Sequence, residues 1–210
     1  MRRRHLLWFT AVFALAACTP FTGRSDRPGQ RIYLLEGAEH VPALQDVPGC
    51  HVVMINSPRA VAGLATSGFA YRRADARIHY FAYHRWSDSP ARMLHPLLVR
   101  AAERSNVFGG VITPGAPVPG DVRLDTEITD LSQHFEDAQS QVHFAIRVRL
   151  YSQERLLGGQ VFEVFEPAEA NPQSGIEAAS RASAKVLEQV LRFTREVLQT
   201  SRPRCTSTGP

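Results

Sequence analysis

The clearest pattern in the sequence is a strict alternation of apolar and polar residues in the second half of the chain. Apolar residues recur at every second position in 122–129 and again in 142–151, and a third run, 156–165, follows a polar turn at 152–155. Alternation with a period of two predicts strands that bury one face and expose the other. Three such strands in succession predict an antiparallel meander.

Two segments have the periodicity of amphipathic helices. From Ser174 to about Gln199, apolar residues recur at every third or fourth position, which predicts a long helix packed by one side on the sheet. An earlier helix is predicted after Ser87 or Ser89, with Pro90 at its first position. Its apolar face consists of Met93, Leu94, Leu97, Leu98 and Ala101. Because Pro96 lies inside this pattern, the helix is expected to start later or to bend there.

The first half of the chain contains shorter strand candidates. These are 31–35, 50–55 and 107–112, together with a hairpin of 68–74 and 77–83 that turns at Asp75. Residues 36–49 and 114–120 are expected to be loops. The elements together predict an α+β fold, a single domain with a curved, mostly antiparallel sheet and two main helices on one face.

The N-terminus has the features of a bacterial lipoprotein signal. Three arginines precede an uncharged run from Leu6 to Ala17, which is too short to span a membrane. The run ends in Leu-Ala-Ala-Cys, which resembles a lipobox. We therefore predict that residues 1–17 are removed and that Cys18 carries a diacylglycerol and an acyl chain such as palmitate. Thr19 in place of Asp favours sorting to the outer membrane.

The predicted domain organisation follows from composition. After the lipidated Cys18, residues 19–30 are rich in Pro and Gly and are expected to form a flexible tether, so that 18–30 links the anchor to the domain. The folded domain is expected to span 31–200, and 201–210 is a polar tail. Cys50 and Cys205 are a candidate disulfide in an oxidising periplasm, and two unrelated thiols are the alternative.

Charge and motifs limit the function classes. The formal net charge is +4, and Arg2, Arg3 and Arg4 of the predicted signal account for three of those charges. Nucleic-acid binding is therefore not expected. The eight histidines show no HxH or HExxH spacing, so no metal site or other cofactor is predicted. Asp125 and Glu127 are explained by strand alternation, no nucleophile motif is found, and we predict that the protein is not an enzyme.

Aromatic residues concentrate in the predicted hairpin and just after it. Tyr71, Tyr80, Tyr83 and Trp86 are candidates for contact with a partner or with lipid, because Tyr and Trp are enriched at interfaces. The alternative is that these side chains form part of the core or pair across the hairpin.

The order of these features resembles a known family. A lipobox and tether precede Tyr33-Leu34, and Trp86 precedes a helix with the spacing of Leu94, Leu97 and Leu98. An Arg-Leu-Asp-Thr-Glu-Ile strand, 123–128, then leads into the meander and an Ala-rich last helix. Over about residues 31–200 the chain resembles the ABC-type transport auxiliary lipoproteins, which include the PqiC-like proteins.

The resemblance implies a function at the outer membrane. Such a protein would be lipid-anchored, face the periplasm, and serve an MCE-domain protein and ABC transporter subunits as a non-catalytic component. The cargo would be phospholipid or another hydrophobic molecule. Two alternatives remain open: a tethered periplasmic lipid-binding carrier, and an outer-membrane assembly lipoprotein that docks into a partner barrel.

Overall fold

The computed structural model describes residues 29–75, 77–136, 139–153 and 155–201. Within them the α-helices are α1 (Pro90–Arg104) and α2 (Pro172–Ser201). The strands are β1 (Arg31–Tyr33), β2 (Val52–Ile55), β3 (Arg59–Ala60), β4 (Gly68–Arg72), β5 (Ile78–Trp86), β6 (Gly110–Ile112), β7 (Val122–Glu136), β8 (Gln139–Ser152) and β9 (Arg155–Ala168). The predicted signal, Cys18 and Cys205 lie outside the described residues, and the predictions made for them remain predictions.

The sheet is built around β7. One edge of β7 pairs with β8 over its whole length, and β8 pairs in turn with β9, so the predicted antiparallel meander is confirmed. The other edge of β7 receives β2, β3 and β4 one after another, each parallel and each over two or three residues. The result is an open, mixed sheet of nine strands. Most of its paired length is antiparallel, because the meander strands are much the longest.

The remaining strands extend this sheet on the β7 side. β5 pairs antiparallel with β4, which confirms the predicted hairpin. β1 is parallel to β5, and β6 is parallel to β2. These parallel pairings join segments far apart in sequence, and the alternation pattern did not predict them.

A β-bulge in β7 changes which residues face the helices. The register shifts between Ile128 and Asp130. Before the bulge, Leu124 and Ile128 point into the core, and after it Leu131 does so. A bulge adds one residue to a strand and so moves the following side chains to the opposite face. The slip in alternation explains why the predicted strand ended near residue 129, although β7 continues to Glu136.

The two helices cover one face of the sheet, as predicted. α2 buries Val186, Val190 and Leu191 fully against the meander, and α1 buries Leu94 and Leu97 with the same core. α1 begins at Pro90 and continues through Pro96, so the later start expected from that proline does not occur. Pro96 is exposed, where its ring meets solvent rather than the core.

The first turn of α2 is fixed to the sheet by a buried amide. Gln133, fully buried on β7, donates through Nε2 to the carbonyl oxygens of Glu169 and Asn171 at 3.0 and 3.2 Å. A Cβ built on Gly175 would lie 2.2 Å from Gln133 Oε1. Glycine at this position therefore lets the helix approach β7 closely enough for these hydrogen bonds to form.

Candidate functional site

Exposed apolar and aromatic side chains are found on β1, on the residue after it, and on β5. Ile32 and Leu34 are each 65% exposed, and Tyr80 and Tyr83 on the neighbouring strand are 41% and 45% exposed. We call these four residues the β1–β5 edge surface. Among the described strands β1 pairs only with β5, so one backbone edge of β1 also faces outward. Exposed apolar side chains beside an open strand edge are typical of an interaction surface.

The structure divides the four aromatic residues predicted to contact a partner or lipid. Tyr80 and Tyr83 are exposed, and the Tyr80 hydroxyl donates to the carbonyl oxygen of Gly63 at 2.6 Å. Trp86, in contrast, is only 1% exposed and packs edge-on against Phe69 with ring centroids 5.1 Å apart. Trp86 therefore cannot be a surface contact, and its inclusion in the predicted set is corrected. Trp86 is the last residue of β5 and points into the core, which agrees with the alternative interpretation.

Tyr71 lies in a partly buried aromatic group with Phe81 and Phe135. Its ring lies 4.6 Å from Phe81 and 5.8 Å from Phe135, measured between centroids. The Arg73 guanidinium sits over both Tyr71 and Phe135, at 5.8 and 5.6 Å from their centroids. Tyr71 is half-buried within this group.

Tyr33 links the β1–β5 edge to α2. Its hydroxyl donates to Gln173 Oε1 at 2.9 Å and lies 3.1 Å from His84 Nδ1, and the Tyr33 and His84 rings stack. Burial, with a smaller contribution from the Arg31 charge, lowers the pKa of His84 below its ordinary value. The neutral form of His84 is therefore favoured at this junction of strand and helix.

The helix-free outer face of the sheet carries paired charges. Arg147 donates to Glu127 Oε2 at 2.5 Å across the β7–β8 pair. Asn56 donates to Asp125 Oδ1 at 2.7 Å, and Arg123 Nε lies 3.5 Å from the same atom. Glu127 is thus paired across strands, and Asp125 is paired with two neighbouring side chains. This agrees with the interpretation that strand alternation explains both carboxylates.

A second group on the outer face was missed by the sequence analysis. His134 Nε2 and His143 Nδ1 lie 3.6 and 3.3 Å from Asp130 Oδ2. Burial alone would raise the pKa of Asp130, but contacts with His134, His143 and Ser132 hold that pKa well below its ordinary value. The bulge after Ile128 puts Asp130 and His134 on the same face as His143. The sequence carries one signal of this bulge: the apolar residue after Ile128 is Leu131, three positions later instead of two.

A cleft of about 460 Å³ lies beside α2. Its lining includes Glu166 of β9, whose carboxylate forms ion pairs with Lys185 and, at 3.4 Å, with Arg181. Glu36 and Glu39 line it as well. A lining with this many charged groups is poorly suited to an acyl chain, which favours apolar walls.

The sequence model of one family covers most of the chain. A model described as "ABC-type transport auxiliary lipoprotein component" matches residues 33–191. The chain belongs to this family. The resemblance inferred from the order of elements is thereby confirmed, and the family description names an auxiliary transport component rather than a catalytic one.

Solved structures share the fold. Protein XCC0632 from Xanthomonas campestris, assigned to the family DUF330, superposes with a TM-score of 0.69 at 15% identity, covering 83% of this chain and 100% of its own. An uncharacterized protein superposes with a TM-score of 0.62 at 14% identity, covering 79% of this chain and 98% of its own. At these identities the likeness shows the fold alone. No curated protein matches the chain.

Membership of a lipoprotein family is consistent with a lipid-anchored protein that faces the periplasm. Neither α1 nor α2, nor any other helical segment of the described residues, has the length and apolarity that a membrane span requires.

Proposed function

We propose that this protein is the outer-membrane, non-catalytic docking component of an intermembrane lipid transport system that contains an MCE-domain protein and an ABC transporter. The observation that carries the proposal is the family match over residues 33–191. In this proposal Cys18 carries the lipid anchor, and residues 19–30 span at most about 40 Å between the membrane and the domain.

The β1–β5 edge surface supports a docking role. It offers four exposed apolar or aromatic side chains and an open strand edge, and it begins directly after the predicted tether. A partner segment that adds to β1 would gain backbone hydrogen bonds and would cover Ile32 and Leu34. We infer that the MCE-domain partner binds at this surface.

The packing of the interior is less favourable to a tethered lipid carrier. Such a carrier needs an apolar cavity between the sheet and the long helix. In the described part of the chain this interface is filled by side chains such as Phe144, Val148, Val186 and Leu191, all with exposures of 1% or less. Docking is therefore the function that the geometry supports best.

Site-specific photocrosslinking in membranes tests the proposal. A photoreactive residue is placed at Tyr83 or Ile32 of the full-length chain, and captured proteins are identified by mass spectrometry. The matched control is Val118, which is 54% exposed but lies in the loop before β7. We expect an MCE-domain protein to be captured from Tyr83 and Ile32 and not from Val118.

Two results would contradict the proposal in different ways. Equal capture from all three positions would remove the β1–β5 edge surface as the docking site. Capture of no transport component, together with lipid extracted from the purified protein in about one equivalent per chain, would favour the carrier.

A further inference from the structure

The group formed by Asp130, His134 and His143 has the geometry of a metal site. Its three ligand atoms all lie within 4.8 Å of one another. Zinc binds histidine nitrogen and carboxylate oxygen at about 2.0–2.2 Å, and tetrahedral coordination then separates neighbouring ligand atoms by about 3.3 Å. The separations from Asp130 Oδ2, 3.3 Å to His143 and 3.6 Å to His134, are close to that value. We propose that Asp130, His134 and His143 bind a divalent transition-metal cation, with Zn²⁺ as the best match.

The same distances are poor for direct hydrogen bonds. An N–H···O bond normally spans about 2.7–3.2 Å, and a contact of 3.6 Å is outside that range. The other oxygen of Asp130, Oδ1, accepts a short bond of 2.6 Å from the Ser132 hydroxyl. Oδ2 faces two imidazole nitrogens, of which His143 Nδ1 is at the long end of the hydrogen-bond range and His134 Nε2 lies beyond it. A cation between them would replace these weak contacts with coordinate bonds.

The ligands are held in place by their neighbours. The His143 ring stacks on Phe165 of β9, with centroids 4.3 Å apart and planes 4° from parallel. Ser132 lies directly opposite His143 in the β7–β8 pair. Its hydroxyl donates to Asp130 Oδ1 and so fixes the orientation of that carboxylate. Orientation of metal ligands by such outer contacts raises affinity, because less side-chain entropy is lost on binding.

Two neighbouring groups compete with the metal. His134 Nε2 lies 3.0 Å from the Ser132 hydroxyl. Because that hydroxyl donates to Asp130, the contact requires a proton on Nε2, and metal binding requires the other tautomer. The Arg72 guanidinium, on β4 beside β7, approaches Asp130 Oδ2 to 4.0 Å and opposes a cation electrostatically. The Arg72 side chain is 49% exposed, so it can move into solvent when a cation binds.

Metal uptake by the full chain tests this proposal independently of any transport partner. The chain carries no histidine tag, and free thiols are alkylated so that cysteine cannot bind the probe. Zn²⁺ binding is measured by equilibrium dialysis, and Co²⁺ serves as a spectroscopic probe because its visible absorption reports tetrahedral coordination. We expect one saturable equivalent of Zn²⁺ per chain and a tetrahedral Co²⁺ spectrum.

Four variants define the site. His134→Gln and His143→Gln should each lower the affinity for Zn²⁺ at least tenfold, whereas Arg72→Gln should raise it severalfold by removing the competing charge. His79→Gln is the matched control, because His79 Nε2 lies 3.4 Å from Asp75 Oδ2, whose other partner is the Arg77 guanidinium rather than a second histidine. It should leave uptake unchanged.

The proposal is overturned if the wild-type chain shows no saturable Zn²⁺ uptake, or if His79→Gln reduces uptake as much as His134→Gln does. Should His143→Gln fail to fold by circular dichroism, the more exposed His134 provides the decisive variant, because its removal leaves the stacked pair of His143 and Phe165 intact.

Discussion

Replacement of Trp86 by alanine separates a structural role from a binding role. Trp86 is 1% exposed and packs edge-on against Phe69. Loss of a fully buried Trp side chain costs about 3–5 kcal/mol, from lost burial and the cavity that remains. In a domain of this size, each kcal/mol lowers the melting temperature by about 2–4 °C, so Trp86→Ala should lower it by about 6–20 °C.

A second substitution checks the physical reason. Among the described residues Trp86 Nε1 has no hydrogen-bond partner, so Trp86→Phe removes volume without breaking a hydrogen bond. Its expected cost is about 1–2 kcal/mol, well below that of the alanine variant. The exposed Tyr83, replaced by alanine, should change the free energy of unfolding by no more than about 0.5 kcal/mol.

Thermal unfolding of the full chain in mild detergent, followed by circular dichroism, gives these values, and crosslinking from position 32 to the proposed MCE-domain partner is measured in membranes for the same variants. We expect Trp86→Ala to lose stability, and Tyr83→Ala to lose crosslinking at unchanged stability. A Trp86→Ala protein with the wild-type melting temperature and no crosslinking would refute the assignment of Trp86 to the core.

Three further predictions concern the helices and the β1–β5 edge. Gly175→Ala should destabilise the domain by about 1–3 kcal/mol in denaturant unfolding, because the new Cβ meets the buried amide of Gln133; an unchanged midpoint would show that the α2 contact is loose. Pro96→Ala should stabilise by about 1–3 kcal/mol, since it restores a helix donor at an exposed position; destabilisation would contradict this. His84 has a lowered pKa in the folded chain, so the unfolded chain takes up the proton first. The free energy of unfolding should therefore fall as pH drops below 6.5, the ordinary value for histidine. His84→Gln should reduce the difference in the free energy of unfolding between pH 7 and pH 5. If that difference is unchanged, other titratable groups cause it.

The sequence predicted the elements that have a long, regular period. The meander and α2 were found because their apolar positions repeat over fourteen to thirty residues. The parallel pairing of β2, β3 and β4 with β7 was not predictable, since strands of two to five residues carry too little pattern to specify a partner.

The candidate sites depended on details that periodicity does not encode. Trp86 is buried, whereas Tyr80, six residues earlier and so expected on the same face, stays exposed. The register of β5 against β4 shifts between these two residues. The histidine group depends on one bulge residue, which decides whether His134 shares a face with His143. Both outcomes follow from local backbone irregularity in β5 and β7, where a strict alternation gives the wrong face.

The central position of β7 has a consequence for how the chain assembles during export. The strands that pair with β2 and β3 all come later in the sequence. The backbone N–H of Val52, for example, donates to the side chain of Asp121, 69 residues further on. Under the proposed export to the periplasm from the N-terminus, β3 stays unpaired until β7 arrives, and β2 stays unpaired until β6 and β7 arrive. The meander and α2 are local and contiguous, and such contacts form fastest. Folding should thus begin at the C-terminal half, and the early strands, with Val53 and Ile55 uncovered in the meantime, are the segment that an export chaperone must protect.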